Sequence, residues 1–307
     1  MMSNQHSSVR KGIVCALLAY AAWGLFPIYW KAFGSVPAVE VIAHRLVWSL
    51  VFLVGVGMVT GQLRKCAWIV RNPRLVGILF ATATLLSVNW GIFVYGVNSK
   101  QVVETSLGYF LNPLLNVMLG AVILRERLNR AQIVAVALAA AGVCYFGWHL
   151  GHAPWIALGI ATSFSLYGLL RKMAPVEALP GLIVETAVMS PVAIGILLLL
   201  AAHGSSHFAD SPTHAVLFVG GGAVTAIPLI LFISGAKLLP FSMLGILQYL
   251  APTLQLLVGV VLYREPFTSR EVITFAFIWI AIALFVSSSR TGTGLRRGKV
   301  PRVDQDQ

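Results

Sequence analysis

Along the chain, long apolar runs alternate with short polar gaps. Ten runs are long enough to be bilayer helices, which need about 20 residues. Their approximate limits are 12–31, 39–60, 75–96, 104–124, 131–148, 154–170, 179–202, 214–236, 241–263 and 271–289. They do not alternate apolar and polar positions as the strands of a membrane barrel would; the stretch from Ile194 to Ala202 is apolar throughout. The gaps are too short to hold a soluble domain. The first run follows Arg10-Lys11, as a signal peptide would, but is longer than the apolar core of such a peptide, so it reads as a retained first helix.

Composition narrows the class. The apolar residues make up 58% of 307 and the charged ones 10%, against roughly 25% charged in a soluble domain. Mean hydropathy is +0.85. A soluble domain, a disordered chain and a disulfide scaffold are excluded. The expectation is an all-α polytopic membrane protein with ten transmembrane helices.

The net charge of +12 has a positional explanation. With the N-terminus inside, seventeen Lys and Arg fall in inside segments, and only Lys31, Lys100, Arg264 and Arg270 fall outside. The positive-inside rule then predicts a cell (inner) membrane protein with both termini cytoplasmic. No stripe of basic residues interleaved with aromatics appears, so nucleic acid is not an expected partner. The cluster Arg296-Arg297-Gly-Lys299 reads as a topology anchor beside membrane lipid. Cys15, Cys66 and Cys144 are scattered, which predicts neither disulfide nor metal site. No Walker loop, H-E-x-x-H or nucleophile elbow occurs, so no cofactor and no enzyme chemistry are expected.

The chain also repeats. From Gly96 to Phe146 it matches Gly235 to Phe285 at a constant offset of 139 residues. Pro113 falls on Pro252, Gly120 on Gly259, and Arg125-Glu126 on Arg264-Glu265, with the Pro-to-Glu spacing 13 in both. Upstream, Val41-Ile-Ala-His44-Arg45 lies over Leu182-Ile-Val-Glu185-Thr186, and Trp23-Gly24 over Tyr167-Gly168. The expected units are 12–148 and 154–289, five helices each, with tails 1–11 and 290–307. Five is odd, so the second unit is inverted relative to the first, as in many secondary carriers.

Two five-helix units, each with a Pro in the fourth helix and an Arg-Glu turn after it, resemble the EamA-type drug/metabolite transporter superfamily. Trp23-Gly-Leu-Phe-Pro27, Ala43-His44-Arg45-Leu-Val-Trp48-Ser49, Asn89-Trp90, Glu104-Thr-Ser-Leu-Gly-Tyr-Phe-Leu-Asn-Pro113, Ser165-Leu-Tyr-Gly-Leu-Leu-Arg-Lys172 and Thr274-Phe-Ala-Phe-Ile-Trp279 are similar to the RarD subgroup. That group carries a historical label of chloramphenicol sensitivity and consists of permeases without assigned substrates. The resemblance runs from about Gly12 to Ser289. It implies a ten-helix inner-membrane carrier and does not imply a substrate.

Few polar groups lie within the runs. Glu185 is about seven residues inside the seventh. A carboxylate there is costly unless neutral, paired or facing a wet cavity, which makes it a candidate proton carrier or a structural ion pair. His44 and Arg45 occupy the matching position early in the second run. Adjacent helical residues point about 100° apart, so the two do not share one small site. Arg45 offers a fork to an anionic substrate group or to Glu185; an anchoring role for the pair is the alternative. Glu104 opens the fourth run, where a cap or gate fits a carboxylate at a helix N-terminus. Asn89, Trp90, Tyr109, Asn112 and Asn116, with Gln248 and Tyr249 in the counterpart stretch, form a polar–aromatic set expected to line a bundle interior. Tyr20, Trp23 and Tyr167 belong either to the same cavity wall or to packing. Pro113, Pro252, Arg125, Glu126, Arg264 and Glu265 are expected to be structural. The functional expectation is a permease moving a small polar or amphipathic metabolite by alternating access, with proton coupling resting on Glu185. A channel or a non-transporting regulatory protein is the alternative. Oligomeric state is open.

Overall fold

A computed structural model describes residues 2–99, 101–148, 154–264 and 269–291. The described residues form thirteen α-helices and one π-helical turn. They are α1 (Met2–Gly24), α2 (Phe26–Lys31), α3 (Ala38–Val59), α4 (Leu63–Val70), α5 (Pro73–Asn98), α6 (Val102–Val122), α7 (Arg130–Trp148), α8 (Trp155–Met173), α9 (Ala178–Ala202), α10 (Pro212–Leu238), α11 (Phe241–Gln248), α12 (Leu250–Leu257), the π-turn Val258–Leu262 and α13 (Ser269–Thr291). The protein is an all-helical, multi-pass membrane protein. Among the described residues, six helical stretches are long and apolar enough to cross a bilayer: Ser7–Lys31, Ala38–Val59, Pro73–Gly96, Ala178–Ala202, Pro212–Leu238 and Phe241–Leu262. Shorter apolar stretches lie at Leu107–Val122, Arg130–Tyr145 and Ala276–Phe285.

The helices are not ten unbroken rods, and the breaks have local causes. Pro27 lies in the first turn of α2, where its missing N–H is no loss, so the first apolar run bends at Leu25. The ninth run breaks at Tyr249, three residues before Pro252, and loosens into the π-turn. Pro113, Pro191 and Pro228 sit inside continuous α6, α9 and α10. The short α4, in the gap after the second run, packs on α9. There the Cys66 thiol lies 3.8 Å from the Pro180 carbonyl, and burial raises it above its ordinary range.

Starts are marked by side-chain caps. Asn72 Oδ1 accepts from the amides of Arg74 and Leu75 ahead of α5. Asn129 and Gln132 exchange side chain and backbone at the head of α7, the reciprocal capping box. Ser211 accepts from His214 N before α10.

In a bilayer, helices associate through close packing rather than burial from water. α1 packs on α10, and α8 on α5. α6 packs on α8, and α11–α12 on α1. α3 meets α9, α6 meets α11, and α7 meets α13. Glycines permit the closest crossings. A Cβ on Gly222 would stand 2.3 Å from the Trp48 carbonyl oxygen, and one on Gly245 2.6 Å from that of Pro113. Gly222 thus lets α10 touch the α3 backbone, and Ser49 Oγ donates to its carbonyl at 3.1 Å.

Arg125 and Arg264 have the same left-handed backbone, φ 54°, and among the described residues no other non-glycine has positive φ. They are 139 positions apart. L-residues adopt this conformation at a cost of roughly 1–2 kcal/mol, so each marks a chain reversal held by its surroundings.

Candidate functional site

α3, α5, α9 and α10 line a narrow cleft, closed down to about 20 Å³. Its walls are mostly apolar, with Leu46, Leu53, Leu86, Leu182, Leu229 and Met189 prominent. Polarity comes from Ser49, Ser87, Thr186, Thr225 and Glu185, and Trp90 adds an aromatic wall. The helices supplying it belong to both halves of the sequence.

Arg45 lies beside this cleft and touches two of its lining residues, Thr225 and Trp90. It is buried, and its Nε donates to Thr225 Oγ1 at 2.7 Å. Its guanidinium lies 4.8 Å from the Phe26 ring centroid, 5.4 Å from Trp30 and 5.8 Å from Trp90. Such ring faces attract a cation. The bend at Leu25 and Pro27 carries Phe26 and Trp30 over the charge. Tyr29, on the same short helix, donates to the Leu217 carbonyl at 2.8 Å, and Gly221 makes room for its hydroxyl and for the Arg45 stem. Among the described residues no carboxylate pairs with Arg45, and Thr225 is its hydrogen-bond partner.

Glu185 lies on another wall and is almost fully buried. Thr82 Oγ1 donates to its Oε1, and Arg171 Nε stands 3.5 Å from the same oxygen. Arg171 is fully buried and donates to the Ala178 carbonyl at 3.2 Å. A Cβ on Gly181 would lie 2.4 Å from its Nη1, so Gly181 provides the space for the guanidinium. Arg45 therefore does not pair with Glu185. Arg171, placed by charge counting in an inside segment, does.

His44 and Arg45 part company, as their helical spacing requires. His44 lies between Phe208 and Phe218, at ring centroids 5.1 and 4.1 Å, with Nε2 4.0 Å from Glu40. Glu40 is fully buried and accepts from His207 N at 2.7 Å and Ser206 Oγ at 3.2 Å; its Oε2 meets His207 Nδ1 at 2.6 Å. This ties the α9–α10 connection across the head of α3.

The polar set of α5, α6 and α11 is spent largely on joining helices. Asn89 Nδ2 donates to the Ile160 carbonyl and Ser163 Oγ. Gln248 Nε2 donates to Asn112 Oδ1 at 2.6 Å, Asn116 Nδ2 donates to Gln248 Oε1 at 2.7 Å, and Asn112 Nδ2 donates to the Ala161 carbonyl at 3.0 Å. Tyr249 donates to the Phe110 carbonyl. Of this set Trp90 lines the cavity, and Tyr109 packs beside Phe93. Tyr20, Trp23, Phe164, Tyr167 and Phe232 form one aromatic cluster.

Glu104 Oε1, in the first turn of α6, accepts from Ile156 N at 2.6 Å and so caps α8. Glu126, turned back by the left-handed Arg125, accepts from the amides of Phe241 and Ser242 and from Ser242 Oγ, capping α11. Gly120 leaves space for that carboxylate. Arg264 ends the π-turn region; Glu265 lies outside the described residues, as does the tail from 292.

Arg171, Thr82, Thr225, Phe26 and Glu40 are the groups that sequence reasoning did not single out. The α8–α9 hairpin explains the place of Arg171. α8 and α9 are joined by a short connection, so the end of one faces the start of the other, and a long side chain at 171 reaches one turn further, to 185.

The family model of the EamA-like transporter family matches residues 10–148. The chain is 42% identical over 289 residues to the uncharacterized transporter YojE of Bacillus subtilis, covering 92% of this chain and 96% of the relative. It is 42% identical over 300 residues to an uncharacterized transporter of Vibrio cholerae, covering 97% and 99%. It is 42% identical over 278 residues to the protein RarD of Salmonella typhi, covering 90% and 95%. A solved crystal structure superposes with a TM-score of 0.69 at 19% identity, covering 92% of this chain and 99% of that one, a likeness of fold. With relatives this similar over nearly its whole length, the chain belongs to the RarD-type branch of the EamA-like transporter family.

Proposed function

We propose that this protein is a secondary transporter that moves a small metabolite across the cell (inner) membrane by alternating access. It crosses the bilayer ten times, as two inverted five-helix repeats over 12–148 and 154–289, with both termini in the cytoplasm. The observation that carries the reading is the cavity between α3 and α5 of the first half and α9 and α10 of the second, edged or lined by buried charges from each. A carrier with exchangeable halves places its site at their junction. The packing supports it. Exchanging the halves turns the α1–α10 contact into α8–α5, and the α6–α8 contact into α11–α12 on α1. The shared left-handed turns at Arg125 and Arg264 obey the same exchange. α7 and α13 pack on each other beside the bundle, which leaves the remaining helices to rock.

Glu185 is the group that couples transport to protons. It meets the cavity at one end and Arg171 at the other, so a proton taken up there changes the α5–α8–α9 contacts.

The test begins with an untargeted metabolite comparison of cells lacking and overproducing the protein. Solutes that change are then measured for counterflow in proteoliposomes. Saturable flux accelerated by the same solute on the far side is expected. Flux far above carrier rates without such acceleration identifies a channel, and no flux for any solute defeats the transport reading. Proton coupling is lost as an idea if Glu185→Gln keeps the full response to a pH gradient.

A further inference from the structure

We propose that Arg45 and its aromatic walls bind the carboxylate of the carried solute, a small organic monoacid with an apolar body. The assignment rests on the transport reading above and deepens it by naming the substrate class.

Arg45 is buried, with 8% of its surface exposed. Its Nε is committed to Thr225, whereas its two terminal nitrogens have no acceptor among the described residues. They form the fork that matches a carboxylate in the plane of the group. An arginine within a span is costly unless its charge is answered. Phe26, Trp30 and Trp90 offset part of that cost through their ring faces, but rings carry no net negative charge. Nearby acids are committed elsewhere: Glu40 to Ser206 and His207, and Glu185 to Thr82 and Arg171. No acid among the described residues is left to answer Arg45, and the anion that completes the site is assigned to the solute.

The remaining walls define the rest of the ligand. Thr225 and Trp90, which touch Arg45, also line the central cleft, so the cleft, once it opens, offers the body of a carboxylate on the fork the surfaces of Leu46, Leu86 and Leu229. That surface suits an aliphatic or aromatic body. A second anionic group would approach Glu185, the one carboxylate lining the cavity, and be repelled. Dicarboxylates and phosphate are thereby disfavoured.

The probes are acetate, isovalerate, phenylacetate and indoleacetate, each beside its neutral amide, with succinate and inorganic phosphate. They are titrated onto the full-length protein in nanodiscs, with intrinsic tryptophan fluorescence and thermal shift as readouts. Trp30 and Trp90 flank the guanidinium, so occupancy of the fork changes their emission. At least one monoacid should bind about tenfold or more tightly than its amide, the difference expected for losing a charge-assisted hydrogen bond. Arg45→Gln should abolish that preference and Arg45→Lys keep part of it. Failure of every acid to exceed its amide on the wild-type protein overturns the proposal without relying on a variant. An unchanged preference in folded Arg45→Gln, or tighter binding of succinate or phosphate, also overturns it. The transport reading stands or falls separately. Counterflow of neutral or cationic solutes alone keeps that reading and sinks the carboxylate site. Acid binding without flux of any solute keeps the site and sinks transport.

Discussion

The two buried charges of the central cavity occupy neighbouring positions in the repeat register, His44-Arg45 over Glu185-Thr186, yet their surroundings differ. Glu185 is answered from two helices, by Thr82 on α5 and Arg171 on α8, with Gly181 leaving space for the guanidinium. Arg45 receives one hydroxyl and three ring faces. A charge with a built partner is held in place by the fold. A charge with only soft neighbours stays available to something that enters. On the reading proposed above, the Glu185 end would serve both folding and coupling, and the Arg45 end recognition, with little given to the fold.

The largest effect should come from breaking the built pair. Arg171→Met leaves the Glu185 carboxylate buried without its cation, and removing one partner of a buried pair costs about 3–5 kcal/mol. Most of the protein should then be lost as aggregate in detergent size-exclusion chromatography. Adding Glu185→Gln to the same chain should restore a monodisperse peak, because no lone charge remains. If Arg171→Met melts with the wild type, the pair does not hold the structure and the contrast between the two ends collapses.

Arg45 should behave in the opposite way. Removing a residue kept for function is commonly neutral or stabilising. Arg45→Gln should melt at or above the wild-type temperature while its solute flux falls by about tenfold to a hundredfold. A large drop in melting temperature would mean that the ring cage and Thr225 hold Arg45 as part of the fold.

These two sites were unequally legible. Arg45 and Glu185 stand out in sequence because each interrupts an apolar run. Arg171 does not, since it ends a run where positive charge also sets topology; only the geometry of the α8–α9 hairpin turns it inward. Asn112, Asn116 and Gln248 show a different limit. Their depth in the spans is readable, but a helix that is apolar all round gives no sign of which face meets a cavity. The structure turns them toward one another, as a hydrogen-bonded seam between α6 and α11. The helix breaks follow the same division. Pro27 announces the bend at Leu25, whereas Pro113 and Pro252, equivalent in register, lie in an unbroken helix and just beyond a break. Neighbouring helices decide whether a proline's lost hydrogen bond becomes a kink.

A smaller perturbation sharpens the account of the Glu185 end. Gly181→Ala puts a methyl 2.4 Å from Arg171 Nη1, so the guanidinium must shift. Overpacking of this kind costs about 1–3 kcal/mol. Melting temperature should drop, and the drop should vanish in the Arg171→Met, Glu185→Gln background, where nothing remains to displace. An equal drop in both backgrounds would place the clash elsewhere.

The smallest effect is expected at another ion pair near the same hairpin. Lys65 Nζ lies 2.6 Å from Glu177 Oε1, closer than Arg171 lies to Glu185. Distance alone would rank it the stronger pair. Both of its side chains are half exposed, at 51% and 58%, so water screens the attraction and ordering two mobile chains cancels much of the gain. Such pairs contribute about 0–1 kcal/mol. Lys65→Ala should leave the melting temperature within error of wild type, and raising the salt concentration should not separate the two proteins. A loss comparable to Arg171→Met would show that α4 is fastened to α9 by this bridge, and that burial is the wrong criterion for ranking charges at this end of the molecule.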